Sequence, residues 1–140
     1  MIILDTNVIS ELMKPKPNRR VVAWVSAQPR PSLFTTAITE AEVLLGVALL
    51  PAGKKRRALE ATIADMFAED FERRVLAFDS SAAGDFAQIV AARRQAGRPI
   101  AHADAQIAAI ARSFGAAVAT RNGADFAGCD VELHDPWASA

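Results

Sequence analysis

Hydrophobic positions along the chain alternate between short continuous runs and longer stretches with helical spacing. Met1-Ile2-Ile3-Leu4 is a continuous apolar run with β-branched members, the pattern of a strand covered on both faces. It stops at Asp5-Thr6-Asn7, residues that favour turns and helix caps. Helical spacing resumes from Val8 to Met13 and ends at Pro15 and Pro17. Asn18 reads as the cap of a helix carrying Val21, Trp24 and Val25 on one face, closed by Pro29 and Pro31. Residues 32–36 read as a second strand. A helix starting near Thr39 and a basic helix with Leu59, Ile63, Met66 and Phe67 inward follow it. Residues 75–78 read as a third strand, and Asp79 or Ser80 caps a long helix bearing Phe86, Ile89 and Val90. A further helix, about 103–114, places Ile107, Ile110, Ala111 and Phe114 on one stripe and ends at Gly115. Residues 116–120 and 131–133 read as the last strands. Strands alternating with helices predict an α/β protein, a mainly parallel central sheet in a three-layer α/β/α sandwich. Ligands of such sheets bind outside the carboxyl ends of the strands, so the residues just after each strand carry the functional question.

The 140 residues suit one domain, 1–140, and just over half of them are hydrophobic, enough for a core without disulfide staples. The single cysteine, Cys129, forbids an internal disulfide and a cysteine-based zinc site, and it reads as a small buried residue. No run is apolar enough to span a membrane and no signal peptide is expected, so the composition suits a reducing cytoplasm. The formal net charge is zero, which argues against general affinity for nucleic acid. It leaves room for a nuclease, because acids gathered in one pocket can cancel basic residues spread over a rim.

Asp5 follows the first strand and is either a helix cap or a hard anion where ligands gather, with Thr6 and Asn7 able to orient it. Thr39-Glu40-Ala41-Glu42 matches a capping box with Ile38 and Val43 as its hydrophobic staple, and either role puts Glu42 near the strand end. Asp104 stands one turn ahead of Ile107 on the core-facing stripe, where a carboxylate is costly unless it caps, pairs or binds metal. His102 beside it reads as a surface residue. Asn122 and Asp125 follow the strand that ends at Thr120 and are either turn formers or part of the same crevice. Carboxylates sharing a pocket raise one another's pKa values, and a hard divalent cation relieves that repulsion. Oxygen ligands suit magnesium, and its chemistry is water activation and stabilisation of a phosphoryl transition state.

The opening Met-Ile-Ile-Leu-Asp-Thr-Asn-Val-Ile-Ser-Glu (1–11) resembles the start of a PIN domain of the VapC toxin family. Residues 36–43 with Gly46, residues 100–109 and residues 119–126 agree in order and spacing, and Asp135-Pro136-Trp137 is similar to the ending of the FitB-like branch. The resemblance spans essentially the whole chain. It implies a metal-dependent endoribonuclease whose acids map onto Asp5, Glu42 and Asp104, with Asp125 or Asn122 at the fourth position. Asn122 stands where some relatives carry aspartate. On that basis Asp5 and Asp104 bind Mg2+ or Mn2+, while Glu42 and Asp125 complete the shell or orient the attacking water. Thr6, Asn7, Thr120 or Asn122 then hydrogen-bond the phosphate, and Arg93, Arg94 and Arg121 contact flanking phosphates. The resemblance also implies a homodimer silenced by a cognate VapB- or FitA-like antitoxin, with operator DNA contacted only through that antitoxin and no membrane partner.

Two rivals differ in their requirements. An aspartyl phosphatase wants a second aspartate two residues after the first, and this chain has Asn7 there. A catalytically weak PIN module that only binds antitoxin or RNA would not need Asp5, Glu42 and Asp104 together.

Overall fold

The computed structural model describes residues 1–138. The apolar runs become five short strands, β1 (Ile2–Leu4), β2 (Leu33–Thr36), β3 (Val75–Leu76), β4 (Ala117–Ala119) and β5 (Leu133–His134). They form one sheet in the order β3-β2-β1-β4-β5, and every pairing is parallel. In register, Ile2 faces Leu33 on one side and Ala117 on the other. Chain order reverses direction between β1 and β4, the position where a doubly wound sheet opens a crevice at its carboxyl edge.

Six helices cover the sheet: α1 (Thr6–Leu12), α2 (Arg19–Ala27), α3 (Ala37–Ala48), α4 (Lys54–Asp65), α5 (Ser80–Gln95) and α6 (His102–Phe114). Side chains alternate across each strand, so Ile3 and Val118 join α5 and α6 in one core while Leu4 and Ala119 join α1, α2, α3 and α4 in the other. The expected caps at Asn18 and Asp79 form, and Gly115 ends α6 at φ 64°, a left-handed conformation that glycine adopts without steric cost.

Three local expectations fail for physical reasons. Thr36, still in extended backbone at the end of β2, caps α3 by accepting from the Thr39 amide at 3.1 Å. The helix therefore begins earlier than expected, Glu42 falls on its second turn, and the capping box does not form. Ile38 and Val43 pack into different cores, so the staple is absent too. Phe114 is 47% exposed. A helix of 13 residues runs about 20 Å and the three-residue β4 about 10 Å, so the last turn of α6 overhangs the sheet.

Candidate active site

Asp5 leaves β1 with its amide still bonded to the Ala119 carbonyl at 3.0 Å, so its backbone is fixed by the sheet. Its side chain caps α1, accepting from the Thr6 amide at 2.8 Å through Oδ1. Oδ2 accepts from the Thr120 hydroxyl at 2.8 Å and from Asn7 Nδ2 at 3.3 Å. The two readings of Asp5 thus coincide: it caps a helix and stands at the crevice. Thr120 is fully buried, and its hydroxyl also accepts from Asn7 Nδ2 at 3.2 Å and the Asn122 amide at 3.1 Å. Asn7 Oδ1 accepts from the Arg121 amide at 3.3 Å. Thr120 and Asn7 bind the strand ends together and aim Asp5. Thr6 behaves alike: its hydroxyl donates to Glu42 Oε1 at 2.7 Å, reaching from α1 to α3.

Asp104 lies in the first turn of α6, whose cap position, Ala101, has no side-chain oxygen. Among the described residues no side chain or amide donates to the Asp104 carboxylate, so it neither caps nor pairs. Asp125 sits on a 3-10 turn, Gly123–Phe126, placed after β4 and anchored by buried Phe126. Asp5, Glu42, Asp104 and Asp125 all line one cleft of about 450 Å³ at the carboxyl edge of the sheet, with Thr6, Asn7, Arg121 and Asn122 beside them. A larger, more apolar cleft of about 760 Å³ lies between α1, α2 and the end of α4, lined by residues such as Leu12, Met13, Met66 and Phe71. It has no comparable convergence of acids from separate strand ends, so the chemistry belongs to the smaller cleft.

Burial pushes the Asp104 pKa up to about 6, helped by the charges of Asp5, Asp125 and Glu42. Burial raises Asp5 as well, against its hydrogen bonds from Thr120 and Thr6. Four carboxylates that feel one another across an open cleft make an oxygen-only donor set. Such a set fits a hard divalent cation taken by one or two direct carboxylates with water in the remaining positions. Among the described residues, no group of three or more acidic, histidine or cysteine side chains stands as a preformed chelate. No histidine or cysteine among the described residues lines the cleft: His102 packs edge-on against Phe86 at 5.0 Å, His134 lies 3.2 Å from Glu132, and Cys129 is buried with its thiol pKa raised by that burial.

The PIN domain pattern matches residues 2–130. The chain is 44% identical over 137 residues to Toxin FitB of Neisseria gonorrhoeae, covering 98% of this chain and 99% of that protein. It is 41% identical over 140 residues to VapC ribonuclease Y4jK of Sinorhizobium fredii, covering 100% of both. It superposes on the chain of a FitAB complex bound to an IR36 DNA fragment with a TM-score of 0.93, at 43% identity, covering 100% of this chain and 98% of that one. The chain belongs to the PIN domain family. The three-layer fold expected with a mainly parallel sheet is borne out, with every pairing parallel, as is the resemblance to FitB-like relatives expected from the four segments.

Several features of this PIN domain escaped the sequence reading. Arg93 is not at the surface: it is 8% exposed and its side chain donates to three backbone carbonyls. It cannot reach a phosphate, whereas Arg94 and Arg121 are exposed. Trp137 lines the cleft with the Arg121 guanidinium 5.2 Å from its ring centroid. Glu11 lines it as well, but its carboxylate is committed to Lys14 Nζ at 2.9 Å and the Asn18 amide at 3.0 Å, which hold it below the usual carboxylate range. The lone signal for Glu11 was its place one turn after Val8, where a carboxylate on a buried face needs partners.

Proposed function

We propose that this PIN domain is a cytoplasmic metal-dependent endoribonuclease, the toxin of a toxin–antitoxin pair. The observation that carries the reading is the convergence of Asp5, Glu42, Asp104 and Asp125 from four separate segments on one cleft at the carboxyl edge of the sheet. The name of the ribonuclease relative supports RNA as the substrate. Asp5 and Asp104 would hold Mg2+ or Mn2+, which when bound stabilises phosphoryl charge and lowers the pKa of coordinated water. Asp5 arrives oriented by Thr6, Thr120 and Asn7, which is the service that partners of metal ligands usually perform. Glu42, tied at Oε1 by Thr6, keeps Oε2 for a water and takes a proton from it as the oxygen attacks phosphorus. Asp125 would complete the ion's shell from the side of α6. One phosphorus–oxygen bond forms and one ester bond breaks in line. The Asn122 side-chain amide and the Arg121 guanidinium, exposed on the rim, donate to phosphate oxygens.

The toxin reading extends to partners. A relative named Toxin FitB and a FitAB complex solved on a DNA fragment support a cognate partner and an assembly that meets DNA; on this reading the partner is an antitoxin that silences the cleft and carries the contact with operator DNA, and the toxin is a homodimer. No helix among the described residues is long and apolar enough to cross a membrane.

The test is cleavage of a mixed structured RNA pool by purified protein with Mg2+ or Mn2+, with chelator, and with Asp5→Asn. Discrete cuts that disappear with chelator and in the variant support the proposal. Cuts that persist in the variant contradict it, and full RNA binding without cutting under all conditions favours the binding module.

A further inference from the structure

Arg93 closes the last turn of α5 and is a buried cation that forms no direct ion pair among the described residues, although its charge is felt by Asp104. Its hydrogen bonds go to main-chain carbonyls instead. Nε donates to the Arg98 carbonyl at 2.6 Å, and Nη1 donates to the carbonyls of Asp125 and Ala127, both at 2.9 Å. The same nitrogen lies 3.9 Å from Cys129 Sγ. The chain turns at Gly128 (φ 77°), where a Cβ would stand 3.9 Å from the Arg93 Cδ, and the hydrogen bonds to Asp125 and Ala127 hold the 125–129 segment against the arginine side chain.

These carbonyls belong to two different acid-bearing segments. Arg98 is followed by Pro99, Ile100 and Ala101, and then by α6 with Asp104 in its first turn. Asp125 is itself the acid of the second segment. Neither Asp104 nor Asp125 has a side-chain donor of its own among the described residues, so their placement depends on the backbone that carries them. A planar guanidinium with donors in a rigid fork fixes two such segments relative to each other in a way a lysine ammonium cannot.

We propose that Arg93 is a positioning residue that sets the separation of Asp104 and Asp125 across the cleft, one guanidinium clamping both backbones. The inference rests on the reading of these acids as ion-holding groups.

The experiment titrates Mn2+ calorimetrically into full-length wild type, Arg93→Lys, Arg93→Met, Asp125→Asn and the Arg93→Lys/Asp125→Asn double variant. Each is checked by thermal melting and by amide hydrogen exchange over residues 122–129. Arg93→Lys keeps the buried charge and guards against loss of folding in Arg93→Met. The expected result is Mn2+ affinity weakened about 10-fold in Arg93→Lys, the scale of an outer-shell change, with faster exchange over 122–129. In the Asp125→Asn background the lysine adds little further loss, because its effect acts through Asp125. Faster exchange with wild-type Mn2+ affinity would make Arg93 merely structural and overturn the inference, as would a fully additive double variant. A wild type that takes up no Mn2+ contradicts the ion-holding reading and this inference together, whereas wild-type uptake with unaltered Arg93 variants contradicts this inference alone.

Discussion

Asp5 and Glu42 form one wall of the cleft and accept side-chain and amide hydrogen bonds from Thr6, Asn7 and Thr120. Asp104 and Asp125 form the other and accept none from the described residues, although they face the same space. The first wall is organised by side chains that touch the acids; the second is organised from behind, through backbone. The contrast shows in the charges. Asp5 is more deeply buried than Asp104, yet its hydrogen bonds oppose the upward pressure of burial, while Asp104, with no such bonds, rises to about 6. The second wall is therefore where a bound cation changes the energetics most.

The largest expected effect removes a primary acid from either wall. Asp5→Asn and Asp104→Asn should each lower single-turnover RNA cleavage on the order of 10³-fold, since metal-assisted charge stabilisation contributes several kcal/mol. Unequal losses would mean that one wall alone holds the ion. Next is Thr120→Val, which strips Asp5 of a donor, removes one of the two acceptors of Asn7 Nδ2 and frees the backbone amide of exposed Asn122. Cleavage should fall about 10- to 100-fold, and chemical denaturation should show a loss of about 1 kcal/mol for the hydrogen bonds removed.

Asp104 gives a smaller effect, of opposite sign on stability. Its folded pKa of about 6 lies above its ordinary 3.8, so between those values the folded chain binds the proton more tightly than the unfolded one. Stability of the metal-free protein should fall as pH rises from about 4 to about 6 and stay lowered above that. Asp104→Asn should melt a few degrees above wild type at pH 7, with the gap closing below about pH 4 in thermal melts. A wild-type advantage at pH 7 without metal would break the contrast between the walls. The smallest effect belongs to the rim: Arg121→Ala should reduce the slope of RNA affinity against salt by about one unit, read by filter binding to an Asp5→Asn background.

How much of this was readable beforehand follows the same division. The first wall was legible because Asp5, Thr6 and Asn7 adjoin one another directly after an apolar run, and a strand end announces its own crevice. Glu42 was placed correctly in the cleft for a reason that fails, since Thr36 and not Thr39 caps α3. The orienting role of Thr120 was hidden because it depends on contact with a residue 115 positions away. Arg93 was misread entirely: a basic pair in a helix gives no sign that one member folds inward onto carbonyls of two later segments. Trp137 and Arg121 meet only because β5 lays the C-terminal segment beside β4. Local chemistry was therefore visible, and pairings made by the sheet crossovers were not.

Whether the two walls make one ion site is read by calorimetric Mn2+ titration of wild type, Asp5→Asn and Asp104→Asn at pH 7. Wild type should take up Mn2+ saturably and both variants should lose that uptake, because each removes a ligand of the same ion. Uptake of equal affinity in all three proteins would contradict a single shared site.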